Sequence, residues 1–199
     1  MSRMLVIAGL AVLLVAWAGP LPRLVPGSFT AHMLLHMSVV GIGVPLLAIG
    51  FAPRLRAGTG SALVLPIVVS LLDFVVVWGW HAPALHNLSR SGPLILALEQ
   101  ASFAGVALLV WLVAFAGPPL AGTATLFVTS MHMTLLGALL GLATRPVYPG
   151  HHHDGGWPGL SAIDDQHLGG AVMLAIGGIV YLGGALLLAT RLLRRRAPT

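Results

Sequence analysis

Residues 29–51 read FTAHMLLHMSVVGIGVPLLAIGF, a run without a single Asp, Glu, Lys or Arg. At ~1.5 Å per helical residue such a run covers the ~30 Å hydrocarbon core of a bilayer, so it is read as a transmembrane helix. Its opening turns carry His32, Met33, His36 and Met37. Spacings of i and i+4 put the two histidines on one helical face and the two methionines on the neighbouring face. Imidazole rings in a hydrocarbon-facing segment cost free energy unless they are paired, wetted or liganded, which makes them functional candidates.

The rest of the chain has the same character. Of its 199 residues 57% are hydrophobic and only 8% charged, a balance that excludes a water-soluble domain and indicates a polytopic membrane protein. The ten basic residues are all arginine and lie at the ends of apolar runs rather than among aromatics, so no nucleic-acid surface is indicated. There is no cysteine, which excludes disulfides, thiolate metal sites and thiol catalysis. A soft metal would have to be held by Met and His.

Apolar runs occupy about 4–18, 29–51, 61–80, 93–117, 122–143 and 168–190, separated by Gly19-Pro20, Pro53, Pro83, Pro118-Pro119 and Pro146 with Pro149. The expectation is an all-α bundle of about six transmembrane helices in one domain spanning residues 1–199. Pro45 and Pro66 fall inside spans, where neighbours must satisfy the freed carbonyls. The first run also has the features of a signal peptide, with Arg3 ahead of it and Ala16-Trp17-Ala18 as an A-x-A-like site. Arg3, Arg54, Arg56, Arg191, Arg194, Arg195 and Arg196 flank one set of span ends, against Arg23, Arg90 and Arg145 at the other. The positive-inside bias then expects both termini in the cytoplasm and the long 144–166 loop outside.

That topology gives each polar residue a depth. His32 and His36 enter from outside, His81 and His86 follow the outer end of span three, and Glu99 lies in the outer third of span four. Asp73 sits ~10 Å below the outer end of span three. His132, between Met131 and Met133, is near the middle of span five, and Asp164, Asp165, Gln166 and His167 open span six. All nine histidines and all five acids are thus expected in or above the outer half. Simpler roles remain open for several: His151, His152 and His153 can be a solvated loop run, and Asp164-Asp165 can serve the macrodipole of span six. Trp78, Trp80, Trp157 and Tyr148 fit an outer aromatic belt, and His86 with Asn87 fits loop polarity. Close helix approach is expected along Gly170, Gly177 and Gly184, and at Gly137 and Gly141.

HMLLHM at 32–37, WGWHAPALHN at 78–87, LEQASF at 98–103, RPVYP at 145–149 and above all AIDDQHLGGAVM at 162–173 resemble the CtaG-type cytochrome c oxidase assembly factors. The resemblance covers about residues 29–181. It implies a non-enzymatic helper in the bacterial plasma membrane, acting on a haem–copper oxidase subunit, with a copper role. Residue chemistry meets it at one point: Cu(I) prefers thioether and imidazole donors. The expected copper donors are His32, His36, His81, His132, Met33, Met37, Asp164 and Asp165, supported by Asp73, Glu99 and His167, with an extracytoplasmic copper donor as a further partner. A copper permease or a haem-binding membrane electron carrier are the alternatives, the latter through axial histidines.

Overall fold

The computed structural model describes residues 2–20, 27–52, 64–148 and 157–196, with side chains to residue 193. Every regular element among the described residues is helical: α1 (Ser2–Ala18), α2 (Phe29–Phe51), α3 (Val64–His81), α4 (Pro83–Ser89), α5 (Pro93–Ala116), α6 (Pro119–Gly141) and α7 (Ala162–Leu193). Five of them, α2, α3, α5, α6 and α7, have the length and apolar content to cross a bilayer. The expected first span is a 17-residue apolar helix, ~26 Å long, shorter than those five. The run at His151, His152 and His153 and the arginines at 54 and 56 lie outside the described residues.

Helix boundaries follow local chemistry. Proline occupies the first turn of α4, α5 and α6, where its missing N–H is no loss. Pro83 therefore starts a helix, α4, in a stretch that reads from sequence as a breaker. Ser28 caps α2 by accepting from the Ala31 N–H, and Ser161 caps α7 by accepting from Asp164 N–H. The Ser161 cap starts α7 six residues before the expected boundary, so Asp164, Asp165 and Gln166 sit in its first turns.

α2 is the most enclosed of the five long helices, 61% buried against 22% for α3. α1 runs antiparallel to it through Gly9, which faces the Gly43 carbonyl and Leu47. Both α2 and α7 contain a π-helical turn, at Val39–Gly43 and Gly178–Leu182. Pro45 cannot donate to the ladder of α2, and the wide turn just before it absorbs that defect. The Tyr181 hydroxyl, from the π turn of α7, donates to the Val40 carbonyl at 3.2 Å and ties the two turns together.

α6 and α7 cross where glycine meets glycine. A Cβ on Gly170 would lie 2.6 Å from the Gly141 nitrogen and 2.8 Å from the Gly137 oxygen, while Gly105 on α5 has nothing within 4 Å. Gly184 similarly admits the Trp111 ring. Replacing Gly170 with Ala is expected to lower stability by ~1–3 kcal/mol, because backbone rather than a flexible side chain must move. Gly105→Ala should leave stability unchanged or slightly higher, and thermal unfolding in detergent measures both.

Candidate metal centre

Buried polar side chains gather at the ends of α2, α3 and α5 that meet α4. His32 and His36 come from α2, His81 from the last residue of α3, His86 from α4 and Glu99 from α5, all at most 8% exposed. Ring centroids step through the group: His36 to His81 is 5.9 Å, His32 to His36 6.4 Å, and His32 to His86 5.4 Å. Phe103 packs on His36 with centroids 4.0 Å apart and seals the apolar side. Ligand-capable atoms of His32, His86 and Glu99 lie within 4.8 Å of one another.

Hydrogen bonds assign the ring tautomers. His81 Nδ1 is 2.6 Å from the Val77 carbonyl, which can only accept, so the ring proton is on Nδ1. Its Nε2 then presents a bare lone pair, and it has no hydrogen-bond partner. Neither ring nitrogen of His36 has a hydrogen-bond partner, although His36 is fully buried. A metal-ligating histidine usually donates its second nitrogen to a carbonyl, and His81 is arranged in that way.

Glu99 is held by Ser89 Oγ at 3.1 Å and Gln100 Nε2 at 3.3 Å. Arg90, on the turn after α4, reaches over the group: its Nη2 is 2.8 Å from His32 Nδ1 and 3.8 Å from Glu99 Oε2. Burial draws the Arg90 guanidinium down from its ordinary pKa, and the Glu99 carboxylate pulls it back up.

The segment Asp165-Gln166 fixes this arrangement from α7. The Asp165 carboxylate accepts from Ser28 Oγ at 2.8 Å, Phe29 N at 2.7 Å and Thr30 N at 3.2 Å, and its carbonyl accepts from Thr30 Oγ1. It caps the N-terminus of the helix that carries His32 and His36. Gln166 accepts from Val147 N and donates to the Leu140 carbonyl. The neighbouring Tyr148 thereby stacks on Phe29, lies 4.2 Å from the His86 ring and donates to the His81 carbonyl at 2.7 Å. Burial raises the Tyr148 phenol above its ordinary pKa, so the hydroxyl stays a donor.

Of the residues expected from sequence, His32, His36, His81 and Glu99 come together. Met33 and Met37 instead pack toward α7, Met33 against Gly169 and Met37 beside Gly177. His132 stands in a separate buried pair, its Nε2 2.9 Å from Asp73 Oδ2 with Thr129 Oγ1 on the same oxygen. Asp164 bonds the Ser161 cap, Asp165 is committed to α2, and His167 meets the Ala143 carbonyl. None of these is brought to the histidine group. Sequence reading missed His86 as a member, Arg90 as a partner and Tyr148 as more than a belt aromatic. The signal for His86 was available: Pro83 opens a helix, and that helix brings His86 beside His32.

A helical protein of membrane-spanning type, with a buried cluster of imidazoles and a separate Asp73–His132 pair among its described residues, is the class these features define. The match of its family model over residues 3–195 places the chain in the cytochrome c oxidase caa3 assembly factor (Caa3_CtaG) family, and the chain belongs to it. Comparison with curated proteins and with solved structures gave no match.

The Asp165 contacts predict an asymmetry between the paired acids. Asp165→Ala leaves two backbone N–H groups and the Ser28 hydroxyl without their acceptor, and should lower stability by at least ~2 kcal/mol. Asp164→Asn, at an exposed position, should change stability by less than ~0.5 kcal/mol. Thermal unfolding together with amide exchange at Phe29 and Thr30 reads both.

Proposed function

We propose that this chain is an assembly factor for a haem–copper cytochrome c oxidase and binds Cu(I) through the imidazoles of His36 and His81, with His32 within reach. The observation that carries this reading is the pair of neighbouring rings, packed edge to face, with nitrogens that have no hydrogen-bond partner: His81 Nε2, its tautomer set by Val77, and those of the fully buried His36. A neutral imidazole offers one N–H and one acceptor nitrogen, so His36 and His81 present two buried acceptors on adjacent rings; each costs ~1–3 kcal/mol without a partner, and a shared cation would relieve both.

The spacing supports the fit. A metal–imidazole bond of ~2.0 Å plus ~1.2 Å from nitrogen to ring centre lets one ion join rings up to ~6.4 Å apart. The 5.9 Å between His36 and His81 falls within that limit. Imidazole donors suit copper. Copper is cargo in this reading: it arrives from an extracytoplasmic donor and passes to an oxidase subunit in the bacterial plasma membrane, and the factor itself catalyses no reaction. Family membership supports the oxidase as partner. Of the histidines that could serve a haem, His32, His36, His81 and His132, the last stands apart with Asp73, which argues against its use, and a Soret band in the purified protein would restore that alternative.

His36→Ala with His81→Ala should abolish tight Cu(I) binding in competition with a Cu(I)-specific chelator, and should lower the copper content of the oxidase in cells. His132→Ala should retain binding, and Met33→Leu should cost little, since it keeps volume and loses a donor that faces α7. Undiminished copper binding in the double His variant would make the rings structural.

A further inference from the structure

The contact between Arg90 and His32 carries more than an ion pair does. A guanidinium has donors only, so the 2.8 Å contact is a bond from Arg90 Nη2 to a bare Nδ1 on His32. The proton of that ring then resides on Nε2, which stands 3.8 Å from Glu99 Oε1. A nitrogen that carries a proton cannot ligate a metal. The same guanidinium lies 3.8 Å from the other Glu99 oxygen, supplying the positive charge that a buried carboxylate needs. His81, whose proton is held on Nδ1 by a carbonyl, is in the opposite tautomer and ready to bind.

We propose that His32, His86 and Glu99 form an outer metal site that Arg90 keeps closed in the metal-free protein, and that a metal cation binds there by exchanging places with the guanidinium. Departure of Arg90 uncovers Nδ1, the ring proton moves to it, and the Nε2 lone pair is released toward the ion. Glu99 exchanges one cationic partner for another, so the buried charge stays balanced. Arg90 has room for the exchange: its side chain is 31% exposed while that of Glu99 is 1% exposed, and it sits on the turn between α4 and α5 rather than within a long helix. Serine and glutamine bonds to Glu99 persist when Arg90 leaves and keep the carboxylate oriented. The site lies next to the His36–His81 pair through the shared neighbour His32, so an ion admitted here has one step, from His32 to His36, to reach the inner rings. This inference rests on the copper reading and adds its regulation: an empty factor presents a guanidinium instead of a vacant, adventitiously filled site.

Two measurements on the full-length chain in detergent test it. Cu(I) affinity, set against a Cu(I)-specific chelator, should rise about tenfold in Arg90→Ala, the equivalent of one charge-assisted hydrogen bond that no longer has to be broken. Nitrogen-15 NMR of the histidine rings in metal-free wild type should show His32 protonated on Nε2 and His81 on Nδ1, with His32 changing tautomer when Cu(I) is added. The NMR arm needs no variant and stands if Arg90→Ala fails to fold. Wild type that binds Cu(I) while Arg90→Ala binds no more tightly, or a metal-free His32 protonated on Nδ1, overturns the exchange alone. Absence of Cu(I) binding in both proteins overturns the copper reading and the exchange with it.

Discussion

The Asp165 carboxylate is the contact on which the rest of the centre depends. It sits in the first turns of α7 yet spends both oxygens on the start of α2, taking two backbone N–H groups and the Ser28 hydroxyl. Four N–H groups at a helix start have no partner within the helix, and in an apolar surround no water replaces them. Asp165 satisfies this demand and in doing so sets the height of α2 against α7. His32 and His36, one and two turns further on, take their positions from that register. Gln166, the next residue, holds Val147 so that Tyr148 closes over His86 and bonds the His81 carbonyl. One dipeptide therefore bears on all four histidines of the cluster.

The same accounting explains the less regular parts of the bundle. A proline in α2 and glycines along α6 and α7 would weaken isolated helices, but here each has a local answer. The π turn of α2 and the Tyr181 hydroxyl deal with the ladder near Pro45. The glycines let α6 and α7 approach until backbone touches backbone, where packing contributes what the hydrophobic effect cannot supply between helices in lipid. Asp73 and His132 answer each other within the apolar interior. His36 and His81 differ from the other buried groups without partners in being adjacent imidazoles, 5.9 Å apart between ring centres.

Much of this was legible in the chain. Long uncharged runs fixed an all-helical membrane architecture, because backbone groups in lipid leave few alternatives, and the glycine spacings of spans five and six marked the α6–α7 crossing. The i and i+4 pair His32 and His36 pointed to the site, and depth matched them to His81. What the pattern could not resolve was partner choice. Met33 is as suitable for Cu(I) by residue type as His86 is, and Asp165 is an acid beside the same helix; the packing of α7 on α2 shows that the aspartate serves a helix end and that the methionine meets Gly169. Arg90 escaped notice because a lone arginine near a span end is ordinarily a topology signal.

The central claim is that imidazole nitrogens, and not the nearby thioethers, hold copper in this cluster. X-ray absorption at the copper K-edge of the Cu(I)-loaded protein reads the ligand atoms directly. The account predicts a first shell of two or three nitrogens near ~2.0 Å with the outer-shell scattering of imidazole rings, and no sulfur. A sulfur shell near ~2.3 Å would contradict it and move the site to the methionine face of α2.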